Sequence, residues 1–320
     1  MKLLEIKDLK MDFGAGAGAA RAIDGVSLTI DTRETVCLVG ESGCGKSVTA
    51  QSIARLVPEP PGNYVGGEIL LNGRDTLKMS PHELRAIRGG VVSYVFQDPG
   101  AALNPVFRIG AQIKESLKLH RREKANEAEV LRLLKLVGIP APESRIKNYP
   151  FEMSGGMQQR VMIAMALASE PKLLVADEPT TALDVTIQAQ ILDLLRDLKQ
   201  RLGMAILLIT HNLGIVGDMA DRVAVMYAGQ IVELAPAREL LRRPLHPYTK
   251  ALMHSVPKLS GGASRLSAIP GNVPRIGDFP PGCRFAPRCP VTRSECVENI
   301  PELLEVEPGR WVRCPFWKTD

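Results

Sequence analysis

A glycine-rich segment near the N-terminus has the residue types and spacing of a phosphate-binding loop. Residues 40–47 are GESGCGKS, in which four residues separate Gly40 from Gly45 and lysine and serine follow. Closely spaced glycines allow a tight turn whose backbone N–H groups point inward at phosphate oxygens. Lys46 is placed to reach the β and γ phosphates of a nucleotide, and the Ser47 hydroxyl is placed to bind Mg²⁺. The predicted nucleotide-binding residues of this loop are Gly40, Ser42, Gly43, Cys44, Gly45, Lys46, Ser47 and Val48.

Two acidic residues, Asp177 and Glu178, follow the apolar segment LLVA. The carboxyl end of a strand in a parallel sheet opens onto the ligand crevice, so a buried strand here delivers both carboxylates to that edge. We expect Asp177 to hold Mg²⁺, through water, and Glu178 to polarise an attacking water. The alternative is a surface turn that happens to carry two acids.

His211 directly follows another apolar segment, AILLIT. A lone histidine is more often structural than catalytic, but a position at a second strand end favours a role as a sensor of the γ-phosphate.

Four of the six cysteines, Cys283, Cys289, Cys296 and Cys314, lie close to the C-terminus. Their spacing lacks the paired C-x-x-C of structural zinc sites, yet four thiolates suit either zinc or a [4Fe–4S] cluster. Spacing alone leaves these two ligands open, together with an unliganded set of thiols. A disulfide framework is disfavoured, because the expected compartment is reducing.

The composition limits the class of protein. The chain has 320 residues, 45% of them hydrophobic, and a formal net charge of +5. This is enough to build a sizeable core, and the basic excess is too small to indicate a nucleic-acid partner. The first residues, MKLLEIKDLKMDF, lack the apolar region of a signal peptide, and no run of 18 apolar residues predicts a membrane span. We therefore expect a protein that is not exported.

The elements that must position these residues follow an α/β pattern. Short apolar strands are predicted at residues 34–40, 91–97, 172–177, 205–210 and 222–226, and a long helix at 186–203. Buried strands that alternate with helices imply right-handed βαβ units and a mostly parallel sheet. The opening residues predict antiparallel strands, whereas residues 105–150 predict a helical insertion that includes a helix capped by Asn126 and Glu129. Residues 255–320 are rich in Pro and Gly and predict a tail that cannot build a core alone.

The segment MSGGMQQRVMIAMALASEP narrows the class of nucleotide-binding protein. Ser154, Gly155 and Gly156 open a helical pattern about 20 residues before the acidic pair. This segment resembles the signature motif of ATP-binding cassette (ABC) proteins. In that resemblance, Gln97 matches the Q-loop and is a further Mg²⁺ ligand, residues 181–184 match the D-loop, and His211 matches the switch histidine. Phe13 matches the aromatic residue that stacks on adenine.

The resemblance covers roughly residues 3–240 and implies a fold as well as an activity. The implied fold is a phosphate-loop ABC ATPase with a mostly parallel core sheet, an antiparallel β subdomain, a helical signature subdomain at about 100–165 and an irregular C-terminal extension. Residues 1–240 would form the nucleotide-binding domain. The common family signature is L-S-G-G-Q, whereas this chain has Met153 and Met157 at its ends. We expect function to survive, because the Ser-Gly-Gly centre is intact.

The resemblance also implies a mechanism. In the family, the serine and glycines of the signature form a second anion site that closes on ATP held by a partner subunit. Two ATP molecules are thus enclosed between two subunits, and ATP favours the closed dimer. The resemblance gives catalytic roles to Glu178, His211 and Lys46, and nucleotide contacts to Ser154, Gly155 and Gly156 of the partner.

A narrower resemblance involves residues 209–233 and the segment RRPLHPYTKALMHSVP, which includes HPYT at residues 246–249. Both look like the ATPase subunits of dipeptide and oligopeptide importers, so residues 241–320 would be the extension typical of that group. This implies two transmembrane permease subunits, a second ATPase subunit that is a paralogue or another copy, and indirectly an extracytoplasmic solute-binding protein, with no nucleic acid. The chain would lie peripherally at the cytoplasmic face of the inner or plasma membrane. Alternatives are a soluble ABC ATPase that is not coupled to transport, an iron–sulfur regulatory module with a degenerate ATPase, and an importer of nickel or another small solute.

Some dipeptide-importer ATPases carry an iron–sulfur cluster in this tail. The resemblance therefore favours [4Fe–4S] at Cys283, Cys289, Cys296 and Cys314, with Zn²⁺ as the alternative. The expected role is to staple a segment that has little core, because ligand binding and folding are coupled in small metal modules. Redox sensing is a further alternative.

Overall fold

The computed structural model describes residues 1–14, 16–181, 183–255 and 269–318. The predicted D-loop includes Ala182, and the predicted extension includes residues 256–268 and 319–320, all of which lie outside the described residues. The strands are β1 (Lys2–Phe13), β2 (Ala20–Asp31), β3 (Thr35–Val39), β4 (Gly62–Leu71), β5 (Arg74–Asp75), β6 (Val92–Val95), β7 (Leu173–Asp177), β8 (Ala205–Thr210), β9 (Arg222–Tyr227), β10 (Gln230–Pro236), β11 (Leu304–Glu307) and β12 (Arg310–Val312). The helices are α1 (Lys46–Ser52), α2 (Pro81–Ile87), α3 (Pro99–Ala102), α4 (Ile109–His120), α5 (Glu127–Leu136), α6 (Pro142–Arg145), α7 (Gly155–Leu167), α8 (Val185–Leu202), α9 (Val216–Met219), α10 (Ala237–Arg242), α11 (Pro247–Ser255) and α12 (Ser294–Glu298).

The chain divides into two compact units. The first unit comprises residue 1, residues 31–34 and residues 79–208, and the second comprises residues 2–30, 35–78 and 209–320. These units are each built from non-contiguous segments, and the predicted division near residue 240 stays a prediction.

The first unit contains a parallel strand pair and the helical insertion. β6 and β7 pair in parallel, with Val92 opposite Leu173 and Val95 opposite Ala176. All five residues of β7 are buried, which explains the four apolar residues that precede Asp177. The strand predicted to end at Gln97 ends instead at Val95, and Phe96 is exposed.

The helical insertion forms as the sequence predicts. α5 begins after Asn126, whose side chain accepts a hydrogen bond of 2.9 Å from the Glu129 N–H. Val130, Leu133 and Leu134 are its buried residues and lie at helical spacing on one face. The long helix predicted at 186–203 is α8, which begins after Asp184 and ends at Leu202.

The second unit contains an antiparallel sheet of the order β2-β1-β4-β5. A further set of strands has the order β11-β12-β10-β9-β3, in which β3 and β9 are parallel and the others are antiparallel. The α/β class, the antiparallel opening and the parallel core pairs are therefore confirmed. The tail is less irregular than expected, because β12 pairs with β10 and extends the sheet.

The junction between β10 and α11 is fixed by one buried carboxylate. Glu233 is 1% exposed, and its two oxygens accept hydrogen bonds of 2.9 Å from the N–H groups of Leu245 and His246. Burial raises the pKa of Glu233 above its ordinary value. These bonds hold the segment HPYT (residues 246–249) against β10.

Candidate functional site

The predicted phosphate loop connects β3 to α1, in the strand–loop–helix order that the motif requires. Gly40 has φ of 156°, and a Cβ added there would lie 2.2 Å from the Met226 carbonyl oxygen. Gly45 has φ of 106°, and an added Cβ would meet the side chains of Met226 and Ile23 within 3 Å. A side chain at Gly40 is therefore excluded by the backbone oxygen of Met226, whereas at Gly45 the positive φ is what favours glycine.

Lys46 is held inside the loop. Its side chain is buried, and Nζ donates hydrogen bonds to the carbonyl oxygens of Gly40 at 2.8 Å and Glu41 at 3.0 Å. Ser42 and Gly43 are exposed, and a Cβ added at Gly43 would meet no atom within 4 Å. The loop thus has a closed side that packs on the core and an open side that is accessible to a phosphate group.

Cys44 belongs to the closed side of the loop. Burial raises the pKa of its thiol to about 11, so it is neutral at physiological pH and poorly nucleophilic. Its carbonyl oxygen accepts a hydrogen bond of 2.8 Å from the Gly229 N–H. The predicted contact of Cys44 with nucleotide would therefore be a main-chain contact.

Glu178 is the point where three predicted motifs of the first unit meet. It directly follows β7 and has φ of 47°, a strained conformation for a residue with a side chain. Its Oε2 accepts hydrogen bonds from Thr181 Oγ1 at 2.9 Å and Gln97 Nε2 at 3.3 Å. The preceding Asp177 is 8% exposed. The structure therefore brings the Q-loop residue, the acidic pair and the first D-loop residue together.

The predicted signature forms the start of α7. Ser154 precedes the helix, and its Oγ accepts a hydrogen bond of 3.4 Å from the Met157 N–H. Ser154 and Gly155 are exposed, so the first turn of this 13-residue helix is accessible to an anion. A Cβ at Gly156 would lie 2.7 Å from a methyl group of Ile187, which explains glycine at that position. Met153 is buried in place of the family leucine.

The remaining predicted nucleotide residues lie at element ends of the second unit. His211 is exposed and directly follows β8, and Asn212 begins the next turn with its N–H bonded to Thr210 Oγ1 at 3.0 Å. Phe13 is the last residue of β1 and is half-buried. Ser47 and Val48 lie in the first turn of α1.

The four C-terminal cysteines line one cavity of about 110 Å³, together with His246, Phe285, Arg313 and other residues. The Cys283 N–H donates to the Cys296 carbonyl at 2.7 Å, which joins two of the cysteine loops. Burial raises the pKa of the Cys283 and Cys289 thiols, and burial together with the neighbouring thiols raises the pKa of Cys314 to about 11.

The predicted metal site is not supported as a formed site. In the part of the chain that the structure describes, no three His, Cys, Asp or Glu side chains are grouped closely enough to hold a metal ion. The four thiols share a cavity without forming a ligand set. The ligand set expected at Cys283, Cys289, Cys296 and Cys314 is therefore not supported within the described residues.

Two residues near the loop were not predicted. Tyr248 Oη accepts a hydrogen bond of 2.9 Å from the Glu41 N–H, and Arg288 pairs with the Glu41 carboxylate. Tyr248 belongs to the HPYT segment that the sequence singled out, but no sequence signal marked Arg288.

A model of the ABC transporter family matches residues 23–181. A second model, described as the oligopeptide/dipeptide transporter C-terminal region, matches residues 232–296. Within the described residues, no helix has the length and apolarity to cross a bilayer.

Curated relatives match the chain over nearly its whole length. The probable peptide ABC transporter ATP-binding protein y4tR of Sinorhizobium fredii is 50% identical over 99% of this chain and 95% of that protein. The oligopeptide transport ATP-binding protein AppD of Bacillus subtilis is 50% identical over 99% of this chain and 98% of that protein. The dipeptide transport ATP-binding protein DppD of the same species is 46% identical over 100% of this chain and 95% of that protein.

Solved structures match the fold. The ATP-binding cassette MJ0796, in a dimeric post-hydrolysis state with ADP and phosphate, has a TM-score of 0.64 and is 27% identical. The match covers 73% of this chain and 99% of that one. The cbiO1 protein from Clostridium perfringens, part of an ABC transporter complex, has a TM-score of 0.65 and is 26% identical, with 75% of this chain and 91% of that one covered.

Proposed function

The chain belongs to the ATP-binding proteins of ABC transporters, in the group with the oligopeptide/dipeptide transporter C-terminal region, and on this premise we propose that it hydrolyses ATP to drive the import of dipeptides or oligopeptides. The observation that carries the hydrolytic part is Glu178, which Thr181 and Gln97 hold at the end of a buried strand. Peptide import is supported by relatives that match the chain from end to end and carry peptide-transport names. The domain division into residues 1–240 and 241–320 is part of this proposal.

Nucleotide binding is assigned to the phosphate loop and its neighbours. The N–H groups on the open side of the loop and the Lys46 ammonium hold the phosphates, and Phe13 stacks on adenine. The residues with proposed contacts are Gly40, Ser42, Gly43, Cys44, Gly45, Lys46, Ser47 and Val48. Side-chain exclusion at Gly40 and the positive φ at Gly45 support this assignment, because they keep the backbone of the loop fixed.

Magnesium is assigned to oxygen ligands. Ser47 and Gln97 offer neutral oxygens and Asp177 offers a carboxylate, a donor set of the hard kind that Mg²⁺ prefers. When bound, the ion neutralises charge that develops on the phosphate oxygens.

Hydrolysis is assigned to Glu178 and His211. Glu178 takes a proton from the attacking water while the new O–P bond forms at the γ-phosphorus and the bond to the ADP oxygen breaks. Thr181 and Gln97 fix the carboxylate that receives this proton, and His211 steadies the γ-phosphate. Lys46 compensates negative charge on the phosphates.

A second subunit completes the site in this proposal. Ser154, Gly155 and Gly156 offer a hydroxyl and helix-start N–H groups to ATP held by a partner, and their exposure supports that role. The partner is either another copy of this chain or a paralogue. ATP contacts both subunits only in the closed dimer, so binding shifts the population toward closure.

Permease docking is assigned to the surface of the helical insertion. Phe96, Val106, Phe107 and Phe151 are large apolar side chains exposed by 40%, 72%, 55% and 71%, respectively. Val106 and Phe107 are adjacent in sequence, and contiguous exposed apolar groups are typical of a surface that a partner covers. We assign this surface to two transmembrane permease subunits at the cytoplasmic face of the inner or plasma membrane, where the chain is peripheral and a solute-binding protein delivers peptide from the other side.

The cysteine cavity is assigned to a [4Fe–4S] cluster, with Zn²⁺ as the alternative. Four thiols around one cavity fit either ligand in number, although they must move closer together to bind it. Raised thiol pKa values mean that binding releases protons and depends on pH. The bound group supplies a cross-link that fixes the loops at Cys283, Cys289, Cys296 and Cys314. Anaerobically purified protein should be brown with broad absorbance near 400 nm (roughly the range of such clusters), and colourless protein with stoichiometric zinc would reject the cluster.

The experiment that tests the function uses the chain reconstituted with its permeases in vesicles. Peptide-loaded binding protein should stimulate ATP hydrolysis and peptide uptake together. The Glu178→Gln variant should still bind ATP but lose about 10²- to 10⁴-fold in turnover, the usual contribution of a general base. Near-normal turnover in this variant would remove Glu178 from the role. A rate of hydrolysis that is the same with and without the permeases would favour an uncoupled ATPase. Uptake of a nickel complex but not of peptide would identify a different cargo.

A further inference from the structure

A buried arginine of the cysteine segment pairs with the phosphate loop. Arg288 directly precedes Cys289, and Glu41 is the second residue of the loop. Arg288 Nη1 lies 2.7 Å from Glu41 Oε2, and Nη2 lies 3.0 Å from Oε1. The Arg288 side chain is 5% exposed and that of Glu41 is 30% exposed. A two-pronged guanidinium–carboxylate pair fixes the orientation of the carboxylate as well as compensating its charge.

Arg288 is itself fixed by the tail. Its Nε donates to the Pro270 carbonyl at 2.8 Å, and its guanidinium lies 5.8 Å from the centre of the Tyr227 ring. The hydrogen bonds to Glu41 raise the pKa of Arg288 above its ordinary value, so the side chain stays cationic. Contacts with Pro270 and with Tyr227 of β9 therefore fix the position of this charge, which the cysteine segment supplies.

A second contact reaches the same loop residue. Tyr248 is fully buried and its Oη accepts the Glu41 N–H. Its ring lies 4.6 Å from that of Tyr227 and 5.3 Å from that of Phe285, which stands between Cys283 and Cys289 in sequence. The Glu41 carbonyl accepts from Lys46. Glu41 is therefore held at its N–H, its carbonyl and its carboxylate, two of them by residues of the C-terminal extension.

We propose that Arg288 and Tyr248 are positioning residues of the phosphate loop, through which the cysteine segment sets the affinity of the loop for nucleotide. The inference rests on the proposed function, because it deepens the role assigned to that loop. A carboxylate beside a triphosphate opposes its binding, and Arg288 both compensates this charge and holds it in one orientation. Neither residue acts on the reacting atoms. Their loss should therefore weaken nucleotide binding and leave turnover at saturation largely unchanged.

The test measures binding of a fluorescent ATP analogue and steady-state hydrolysis by the full chain. Arg288→Met should raise the Kd and the KM for ATP at least about tenfold, since it leaves the Glu41 carboxylate without its guanidinium. Arg288→Lys keeps the charge but loses the fork, and should fall between Met and wild type. Tyr248→Phe should raise the Kd by about two- to tenfold, the value of one hydrogen bond. In each case kcat should change less than about twofold, because no reacting atom is touched.

Arg310→Met is the matched control for general damage to the tail. Arg310 is a buried arginine of the same extension, 4% exposed, whose guanidinium bonds to Glu307 and to the Arg243 carbonyl. Its guanidinium also lies 3.8 Å from the buried Glu233 carboxylate, so Arg310→Met reports general damage to the tail, including displacement of the segment that carries Tyr248. It should raise the Kd clearly less than Arg288→Met does, since it does not contact Glu41. Circular dichroism checks that each variant is folded. If Arg288→Met does not fold, Arg288→Lys still tests the pairing.

A double-mutant cycle isolates the pair. In a Glu41→Gln background, Arg288→Met should cause little further change in Kd, because the charge that it compensates is gone. Equal losses in Arg288→Met and Arg310→Met, additive effects in the cycle, or an unchanged Kd in folded Arg288 variants would each overturn the inference. Lys46→Ala separates this failure from failure of the proposed function. If wild type binds nucleotide no more tightly than Lys46→Ala does, the phosphate-loop assignment itself is refuted.

Discussion

The hydroxyl of Thr181 is predicted to set the rate of hydrolysis by holding Glu178. Thr181 Oγ1 donates to Glu178 Oε2 at 2.9 Å, while the Thr181 N–H donates to the Glu178 carbonyl at 3.1 Å. Thr181→Val removes the hydroxyl but keeps the branched shape, and Thr181→Ser keeps the hydroxyl. The two variants therefore separate the hydrogen bond from side-chain packing.

The expected size of the effect follows from the bonds at Glu178. A hydrogen bond to a charged group contributes about 1.5–3 kcal/mol. Because about 1.4 kcal/mol corresponds to a tenfold change in rate, complete loss of alignment would slow hydrolysis about 10- to 150-fold. Gln97 donates to the same oxygen at 3.3 Å and retains part of the orientation. We therefore expect kcat to fall about tenfold in Thr181→Val, the lower end of that range.

The assay is phosphate release over a range of ATP concentrations. Thr181→Val should lower kcat and leave the KM for ATP within about twofold of wild type. The reason is that Thr181 bonds to the Glu178 carboxylate and is not part of the phosphate loop. Thr181→Ser should keep most of the rate. Wild-type kcat in the valine variant, or equal losses in both variants, would show that the hydroxyl does not position Glu178.

Three further predictions concern other parts of the chain. Gly40→Ala should abolish nucleotide binding, because its Cβ would lie 2.2 Å from the Met226 carbonyl oxygen. In Gly43→Ala the added Cβ meets no neighbour, so the variant should cost only the strain of its left-handed backbone, about 1–2 kcal/mol. Titration with a fluorescent nucleotide compares the two variants. Glu129→Gln should lower the free energy of unfolding at pH 7 by about 1–3 kcal/mol. The hydrogen bond from Arg132 holds the folded-state pKa of Glu129 below its ordinary value of 4.5. The stabilisation that Glu129 contributes is therefore complete above pH 4.5 and is lost as pH falls through the lowered pKa. Urea unfolding should show the difference between wild type and Glu129→Gln at pH 7 and not in acid. Phe107→Asp should prevent co-purification with permeases yet leave hydrolysis by the isolated chain unchanged, because this side chain is 55% exposed.

Local sequence signals predicted much of the fold. The start of α5 follows from Asn126, since a side-chain cap acts within three residues of itself. The buried strand β7 and the glycine loop after β3 were predicted for a similar reason. Burial favours apolar residues and tight turns favour glycine, so both are visible in the local sequence. These features depend on neighbours in the sequence.

Features that depend on distant partners were not predictable. Arg288 and Glu41 are separated by 247 positions, and nothing in the composition near Arg288 distinguishes it from other basic residues of the tail. The pairing of β12 with β10 is likewise set by tertiary contacts, in a segment whose prolines suggested irregular structure. The positive φ of Glu178 is imposed by the turn after β7. Because a positive φ is unusual for a glutamate, the residue type does not predict this conformation.

The same distinction explains how the extension can matter for a loop that precedes it by more than 200 residues. Glu41 carries a charge that is unfavourable beside phosphates, and its compensating partner is supplied by the tail and not by the loop itself. The tail packs few regular elements around that partner, and its cysteine cavity lies directly next to it in sequence through Cys289. A ligand that draws the four thiols together would therefore fix Arg288 as well, because adjacent residues cannot be ordered independently. The proposed pairing therefore predicts that a ligand which draws the four thiols together also changes the affinity for nucleotide, through the ion pair between Arg288 and Glu41.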